Sequence, residues 1–591
     1  MGVDIITAIA AILPAFALLP SIRRHARNGA LRLRRPPAWL VITLPAIALL
    51  LTASASPPGA LWSSEYGAYD VLSYHLALPL QWADAGRVAP LDTNVYSYLP
   101  SYLESLYTLV LTLDLGVMPG GRADAFTACH MLSAALTLTA AWTLAHAARR
   151  LAVLADRRER RHAAATIAAA VTLATPWVIV TGSIAYNEPA VLALGAAALL
   201  AAIAPRLTPV RRATLCAIIV GAATGVKPTA LFLVGPAIGV LLIAMLTKGP
   251  NAKRLPVALA IGVVVGLTML APWMARNAIA NGNPVFPFAT DLFGAGAWTE
   301  DQVAAWTTAH ANDFTIPERL GAMLWTAPIA SPDAPAVERF RGMANPQWLA
   351  FFPVAFACLI GAIALGARHL RAVTTLLASG LVAGVIAWLL LTHIQSRFLL
   401  PLVVIASPAI GLAIAALPRR AITLTAAAIG AAQLIAAITI WSNELGGKPN
   451  AYLITGVDGC QSAPPTIDEQ DMTPAQYANA HADDGPLLLL GEARRLYYEG
   501  EVISSTAWDH HLLEQAMIDA PNDTEVWLAA LRDAGVTRVL INLAELDRLR
   551  SSGYTPPELS PEQGGHLLDR LRFRRAWRQL GVAYATVPRE R

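Results

Sequence analysis

Repeated apolar runs, joined by short loops whose basic residues recur at every second turn, leave few folds open to this chain. Runs at about 3–21, 38–54, 123–148, 163–182, 189–204, 213–226, 229–246, 255–274, 347–366, 372–391, 398–416 and 421–441 are each of a length to cross, or nearly cross, a hydrocarbon core of roughly 30 Å. The loops between them set the orientation. Loop 22–37 (IRRHARNGALRLRRPP) carries six arginines and loop 149–162 (RRLAVLADRRERRH) six more. RLTPVRR, TKGPNAKR, RHLR and LPRR follow at alternate positions, so every strongly basic short loop falls on one face, which the positive-inside rule makes cytoplasmic. Both termini are then expected outside. Only 14% of the 591 residues are charged and 55% are hydrophobic, far from the balance of a soluble domain. The net charge of +4 resides largely in those loops and points to no nucleic-acid partner.

Two segments test the parity. SYLESLYTLVLTLDLGVM (101–118) is apolar enough to cross, but counting it would turn every later basic loop outward. With 71–85 it is therefore expected to form helices lying in the membrane interface, within the first outer loop. The first twenty residues lack the basic region of a signal peptide and read as a retained helix. Cys129, Cys216 and Cys358 fall in apolar runs and Cys460 is alone beyond them, so neither a disulfide framework nor zinc-ligand spacing is present. Beyond Trp441 the composition turns mixed and charged. PLLLLG (486–491) and TRVLIN (537–542) read as strands and DTEVWLAALRDAG as a helix, which predicts a small α/β domain over 443–591 on the outer face. The expected organisation is thus 1–37, an extra span and its basic loop; 38–442, a polytopic helical domain; and 443–591.

On this topology the unusual polar residues gather at one interface. Asp70, Tyr74 and His75 lie in YDVLSYHLALPLQW, Asn187 and Glu188 in GSIAYNEPAVLAL, and Lys227 in GVKPTALF. Arg276 and Asn277 lie in PWMARNAIANGNPVFPF, and His393 and Arg397 in HIQSRFLLPL. Ionisable groups at the ends of spans are costly unless paired or hydrated, which makes such a cluster a candidate site. Each residue also has a bland role. Asp70 and Glu188 could cap helices, and Lys227, Arg276 and Arg397 could anchor in the headgroups. His75 and His393 could be satisfied interface histidines, and Tyr66, Tyr69, Tyr74 and Trp82 an aromatic belt. Jointly they suit transfer from a lipid-phosphate donor: a carboxylate as general base, cations on the donor phosphate, and an apolar groove for the lipid tail. Walker A, GxGxxG, serine-hydrolase and zinc-protease signatures are absent.

The order of these stretches resembles the GT-C superfamily of polyprenyl-phosphate-dependent glycosyltransferases, nearest to the protein O-mannosyltransferase and aminoarabinose-transferase type. Resemblance covers about 38–441 and rests on YDVLSYHLALPLQW, YNEPAVLAL, GVKPTALFL, APWMARNAIANGNPVFPF and SRFLLPLV. It implies inverting transfer of one sugar from a polyprenyl-phosphate carrier to an acceptor outside the cytoplasm. Asp70 takes the place of the catalytic base, and Glu188 that of a second acid that positions the acceptor or a metal. Lys227, Arg276 and Arg397 become candidates for the donor phosphate. Tyr74, His75, Asn187, Asn277 and His393 are substrate-contact candidates in the same segments. The chain departs from the pattern in Asn187-Glu188-Pro189, where many relatives carry an aspartate, and in its extra N-terminal span. Members are divided over metals, so no metal is assigned and a divalent cation stays open. GEARRLYYEG and AGVTRVLINLAELDRL resemble the periplasmic tail of some bacterial members. Asp509, His510 and His511 are too few and too adjacent for a metal site. An Ala- and Arg-rich composition suggests a bacterial cytoplasmic membrane. A lipid-linked-sugar transporter and a non-catalytic assembly protein remain as alternatives. The lack of a twofold repeat and of midplane charges speaks against the transporter.

Overall fold

The computed structural model describes residues 38–62, 68–114, 122–247, 253–310, 315–324, 346–392, 396–445, 468–551 and 559–589. The expected first span (3–21), His393 and Cys460 lie outside them.

Each later apolar run is helical, because long aliphatic stretches satisfy their backbone groups internally only as helices. The helices include Arg122–Leu154, Glu188–Ala202, Pro209–Val226, Ala230–Leu246, Pro346–Leu365, Arg368–Leu391 and Arg419–Leu445. Among the described residues five helical segments, Ser396–Ala415 included, are long and apolar enough by themselves to cross a membrane. Two expected single spans are instead broken. Arg161–Leu173 gives way to Pro176–Gly182 across a 66° bend, and Leu255–Thr268 to Ala271–Asn281 across 49°. In both cases a proline (Pro176, Pro272) opens the second piece, where its missing N–H and ring bulk interrupt the ladder.

At the centre stands the segment Ser396–Ala415, buried throughout from Phe398 onward. A 3-10 stretch, Ser396–Leu402, leads into the α-helix Val403–Ala415. It packs against Arg161–Leu173, Arg122–Leu154, Pro346–Leu365 and Arg368–Leu391. Such close helix contact needs small residues, since lipid supplies little hydrophobic drive between spans. Gly411 lies so near the Ala164 carbonyl that a Cβ there would stand 2.5 Å from its oxygen.

The described residues of the 71–85 and 101–118 stretches form a π-helical turn Val71–His75, a helix Ala77–Asp84 and a helix Tyr102–Asp114. The C-terminal residues form a mixed five-stranded sheet: β1 (Leu487–Leu490), β2 (Val502–Ile503), β3 (Arg538–Asn542), β4 (Arg572–Trp577) and β5 (Val582–Thr586), in the order β2-β1-β3-β5-β4. β1 is parallel to β2 and β3, while β5 is antiparallel to β3 and β4. The apolar runs read as strands are β1 and β3, at the heart of the sheet. β4 escaped reading because an edge strand written RFRRAW has no apolar alternation.

This layer is tied to the helical part through its loops. Leu496 N–H donates to Leu72 O (3.2 Å), Thr506 N–H to Thr93 O (3.1 Å) and the Tyr497 hydroxyl to Pro58 O (2.6 Å).

Candidate active site

Asp70 stands at the head of the π-helical turn, with helical backbone angles of φ −62° and ψ −32° and no capping bond from its side chain. The cap role therefore does not describe it. A wide π turn re-aims side chains, and such turns recur at functional sites. Here the carboxylate turns to Arg397, whose Nη2 donates to Oδ2 at 2.5 Å, and it also accepts a hydrogen bond from Tyr74. Burial pushes the Asp70 carboxyl up. The Arg397 guanidinium, with the hydrogen bonds from Arg397 and Tyr74, outweighs this and holds it below the ordinary carboxylate range. Its side chain keeps 21% of its surface exposed, enough for a reacting group to reach it.

Arg397 extends the contact inward. Its Nε lies 3.5 Å from Glu188 Oε1, and the same oxygen accepts from Lys227 Nζ at 2.5 Å. Asp70, Arg397, Glu188 and Lys227 thus form a chain of alternating charge. Glu188 is 4% exposed, Arg397 12% and Lys227 13%, so neither cation is snorkelling to a headgroup. Local structure accounts for the meeting. Asn187 Nδ2 donates to Val226 O (3.2 Å), tying the start of Glu188–Ala202 to the end of Pro209–Val226. The Trp177 indole donates to Ser396 Oγ (3.1 Å) and fixes the 3-10 stretch that carries Arg397. Aromatic faces line the cations: Arg397 lies 4.8 Å from the Tyr186 ring centre and Lys227 4.6 Å from that of Phe398.

The other sequence candidates sit around this chain. His75 is buried, its Nδ1 2.7 Å from Glu104 Oε1, and packs between Tyr74 and Tyr186. Arg276 does not join the charged chain through any described contact. It lies over Trp273 at 4.2 Å and donates to Ser97 O (2.7 Å) and Asn277 Oδ1 (3.0 Å). Asn277 donates to Tyr98 O (2.7 Å), so both residues hold the turn Val95–Tyr98. That turn presents Tyr96, whose ring stacks 4.1 Å from Tyr74. His393 lies outside the described residues.

Tyr96, Tyr186 and Glu104 were missed by sequence reasoning. Glu104 did carry a signal, as one of two acids, with Asp114, in an otherwise largely apolar stretch. Tyr96 and Tyr186 carried none. Asp509 acts as a brace: its carboxylate accepts the Val95 N–H at 2.8 Å and the Trp298 indole at 3.1 Å. Among the described residues no three His, Cys, Asp or Glu side chains stand close enough to hold a metal ion. A cavity of about 230 Å³ opens between Ala77–Asp84 and the 495–500 loop, and none of its lining residues belongs to the charged chain.

No protein-family model matches the sequence, and no curated protein sequence does. Solved structures do match. ArnT from Cupriavidus metallidurans in the apo state aligns with a TM-score of 0.55 at 14% identity, over 93% of this chain and 98% of that one. The same protein bound to undecaprenyl phosphate aligns at 0.55 and 12% identity, over 94% and 99%. The Archaeoglobus fulgidus oligosaccharyltransferase complexed with zinc and sulfate aligns at 0.48 and 11%, over 90% of this chain and 71% of that one. At these identities the agreement with ArnT, over nearly the whole of both chains, is one of fold. The chain is a membrane protein that shares the fold of ArnT.

Proposed function

We propose that this chain is an inverting glycosyltransferase that moves one sugar from a polyprenyl-phosphate carrier to an acceptor hydroxyl, with Asp70 as general base. One observation carries the reading: a partly exposed carboxylate is bonded to an arginine that also reaches a buried Glu188–Lys227 pair. The acceptor oxygen attacks the anomeric carbon from the face opposite the phosphate. As the new C–O bond forms, the bond from that carbon to the phosphate oxygen breaks, and Asp70 takes the hydroxyl proton. Arg397 and Lys227 stabilise the negative charge gathering on the leaving phosphate. Glu188 holds both cations in place. His75 and Glu104 back the Asp70 turn, Asn187 positions Glu188, and Arg276 with Asn277 positions Tyr96. The undecaprenyl phosphate bound by ArnT supports a carrier of that class.

The site is proposed to face away from the cytoplasm in a twelve-span chain of a bacterial cytoplasmic membrane, with 443–591 on the same side. Helix direction supports this. Glu188–Ala202 starts at the charged chain and runs about 22 Å to the loop holding Arg206. Pro209–Val226 returns from Arg211 and Arg212 to Lys227, and the segment from Arg397 ends before Arg419 and Arg420. The basic loops thus lie at the opposite helix ends from the cluster.

The test is made on cells lacking the protein, profiled by mass spectrometry for polyprenyl-phosphate sugars and envelope glycans. One lipid-linked sugar should accumulate and one glycan should lose a residue. Wild type should repair both, and Asp70→Asn and Glu188→Gln should repair neither. Full rescue by Asp70→Asn would sink the base assignment. Translocation of a lipid-linked sugar with its linkage intact would replace the enzyme by a transporter.

A further inference from the structure

Beside the charged chain runs a row of rings that the transfer chemistry leaves without a task. It begins at Tyr74, which is hydrogen-bonded to Asp70. Tyr96 stacks on Tyr74 at 4.1 Å with 22° between planes, and its hydroxyl accepts the Trp508 indole N–H at 3.2 Å. Trp508 meets Trp306 edge to face at 5.0 Å, and Trp306 lies 3.9 Å from the His310 ring. All five are half-buried rather than enclosed. A second, buried layer of Tyr98, Phe286 and Trp298 supports them in successive edge-to-face contacts of 4.9 Å.

The row is held rigidly. Asp509, 7% exposed, accepts the Val95 N–H, the Trp298 indole and the Thr506 hydroxyl, joining three segments far apart in the chain. The backbone along the row is largely committed as well. Ser97 O accepts from Arg276, Tyr98 O from Asn277 and Trp508 O from Gln302, while Thr506 N–H donates to Thr93 O. Little main-chain bonding is left for a peptide to add to as a strand. Ring faces, with the Tyr96 hydroxyl at their edge, are what the row offers.

We propose that this row is the acceptor subsite and that the acceptor is a carbohydrate. The C–H faces of a sugar ring stack on electron-rich aromatic faces, and the Tyr96 O–H is placed to donate to a sugar hydroxyl. A chain of sugars laid along Trp306, Trp508 and Tyr96 would bring its terminal hydroxyl to Asp70. The isoprenoid tail of the donor has a different place, since the row leads through the outer turns and the 506–510 loop rather than along the apolar helices. The inference rests on the transferase reading for the word acceptor; carbohydrate binding by the row does not depend on it.

The test is a binding measurement. Purified full-length protein in detergent is applied to an array of bacterial envelope oligosaccharides and, in parallel, to an array of peptides. Wild type should retain a defined set of glycans. Trp306→Ala should weaken retention about tenfold, the scale of one lost stacking partner, while Trp306→Phe keeps most of it. His310→Ala, at the far end of the row, gives a milder loss and guards against a misfolded Trp306→Ala protein. Retention of peptides instead of glycans, no glycan retained, or retention unchanged in well-folded Trp306→Ala overturns the inference. Intact glycan binding together with full rescue of cells by Asp70→Asn would sink the transferase reading and leave the carbohydrate site standing.

Discussion

Arg397 faces two acids and a substrate phosphate would make a third partner, so its removal should do more damage than its size suggests. Arg397→Gln leaves Asp70 and Glu188 undercompensated in a buried setting, a loss of about 3–5 kcal/mol, readable as a fall in Tm in detergent. Asp70→Asn keeps an acceptor for Arg397, which still has Glu188, and should lower Tm less than Arg397→Gln does while transfer drops about 10²–10⁴-fold. The pH dependence has a definite sign. Asp70 is held below the ordinary carboxylate range, so the base is ionised above that depressed pKa and is lost only as pH falls through it. Wild-type kcat/KM should therefore be flat from pH 8 into the ordinary carboxylate range, and Arg397→Gln should move the acid limb upward. At this scale the sequence was informative about charged groups. Asp70, Glu188, Lys227 and Arg397 were legible because a charge beside an apolar run needs a partner. The rings that contact them were not, because tyrosines and tryptophans also populate any interface.

Helix positions were legible from hydropathy, while the breaks and the pairings were not. Thr175-Pro176 and Ala271-Pro272 could each be a helix start or a gentle kink, and only packing decides between them. Close approach is equally invisible in one sequence. Gly411 and Gly239 both sit in apolar helices, yet a Cβ on Gly411 meets the Ala164 carbonyl oxygen at 2.5 Å and one on Gly239 meets nothing within 4 Å. Gly411→Ala should cost about 1–3 kcal/mol by overpacking. Gly239→Ala should be neutral or gain up to about 1 kcal/mol of helix propensity. Thermal unfolding of the two variants side by side checks both. In the C-terminal layer, β1 and β3 were readable as apolar runs, whereas β2, two residues long, and β4 were not.

For the whole molecule, the decisive junction is the one that Asp509 braces. Burial pushes its carboxyl up to about 6, against the pull of its three hydrogen-bond donors. A carboxyl raised in the folded state adds stability that is fully present below its unfolded pKa and is lost as pH rises through about 6. Hydrogen exchange at the Val95 and Thr506 amides should accordingly quicken, beyond the intrinsic rate, between pH 5 and pH 7. Asp509→Asn should flatten that dependence. No sequence pattern foretold this junction, since Val95 and Trp298 are more than 200 residues away. The buried central segment has a consequence of another kind. Ser396–Ala415 is made late, after the helices that enclose it, such as Arg122–Leu154 and Arg161–Leu173, have already left the ribosome. The earlier helices must therefore wait with a vacant slot among them until the newcomer arrives, and it brings Arg397 with it. A chain that stops short of residue 396 lacks both the segment that fills this slot and the arginine that joins Asp70 to Glu188.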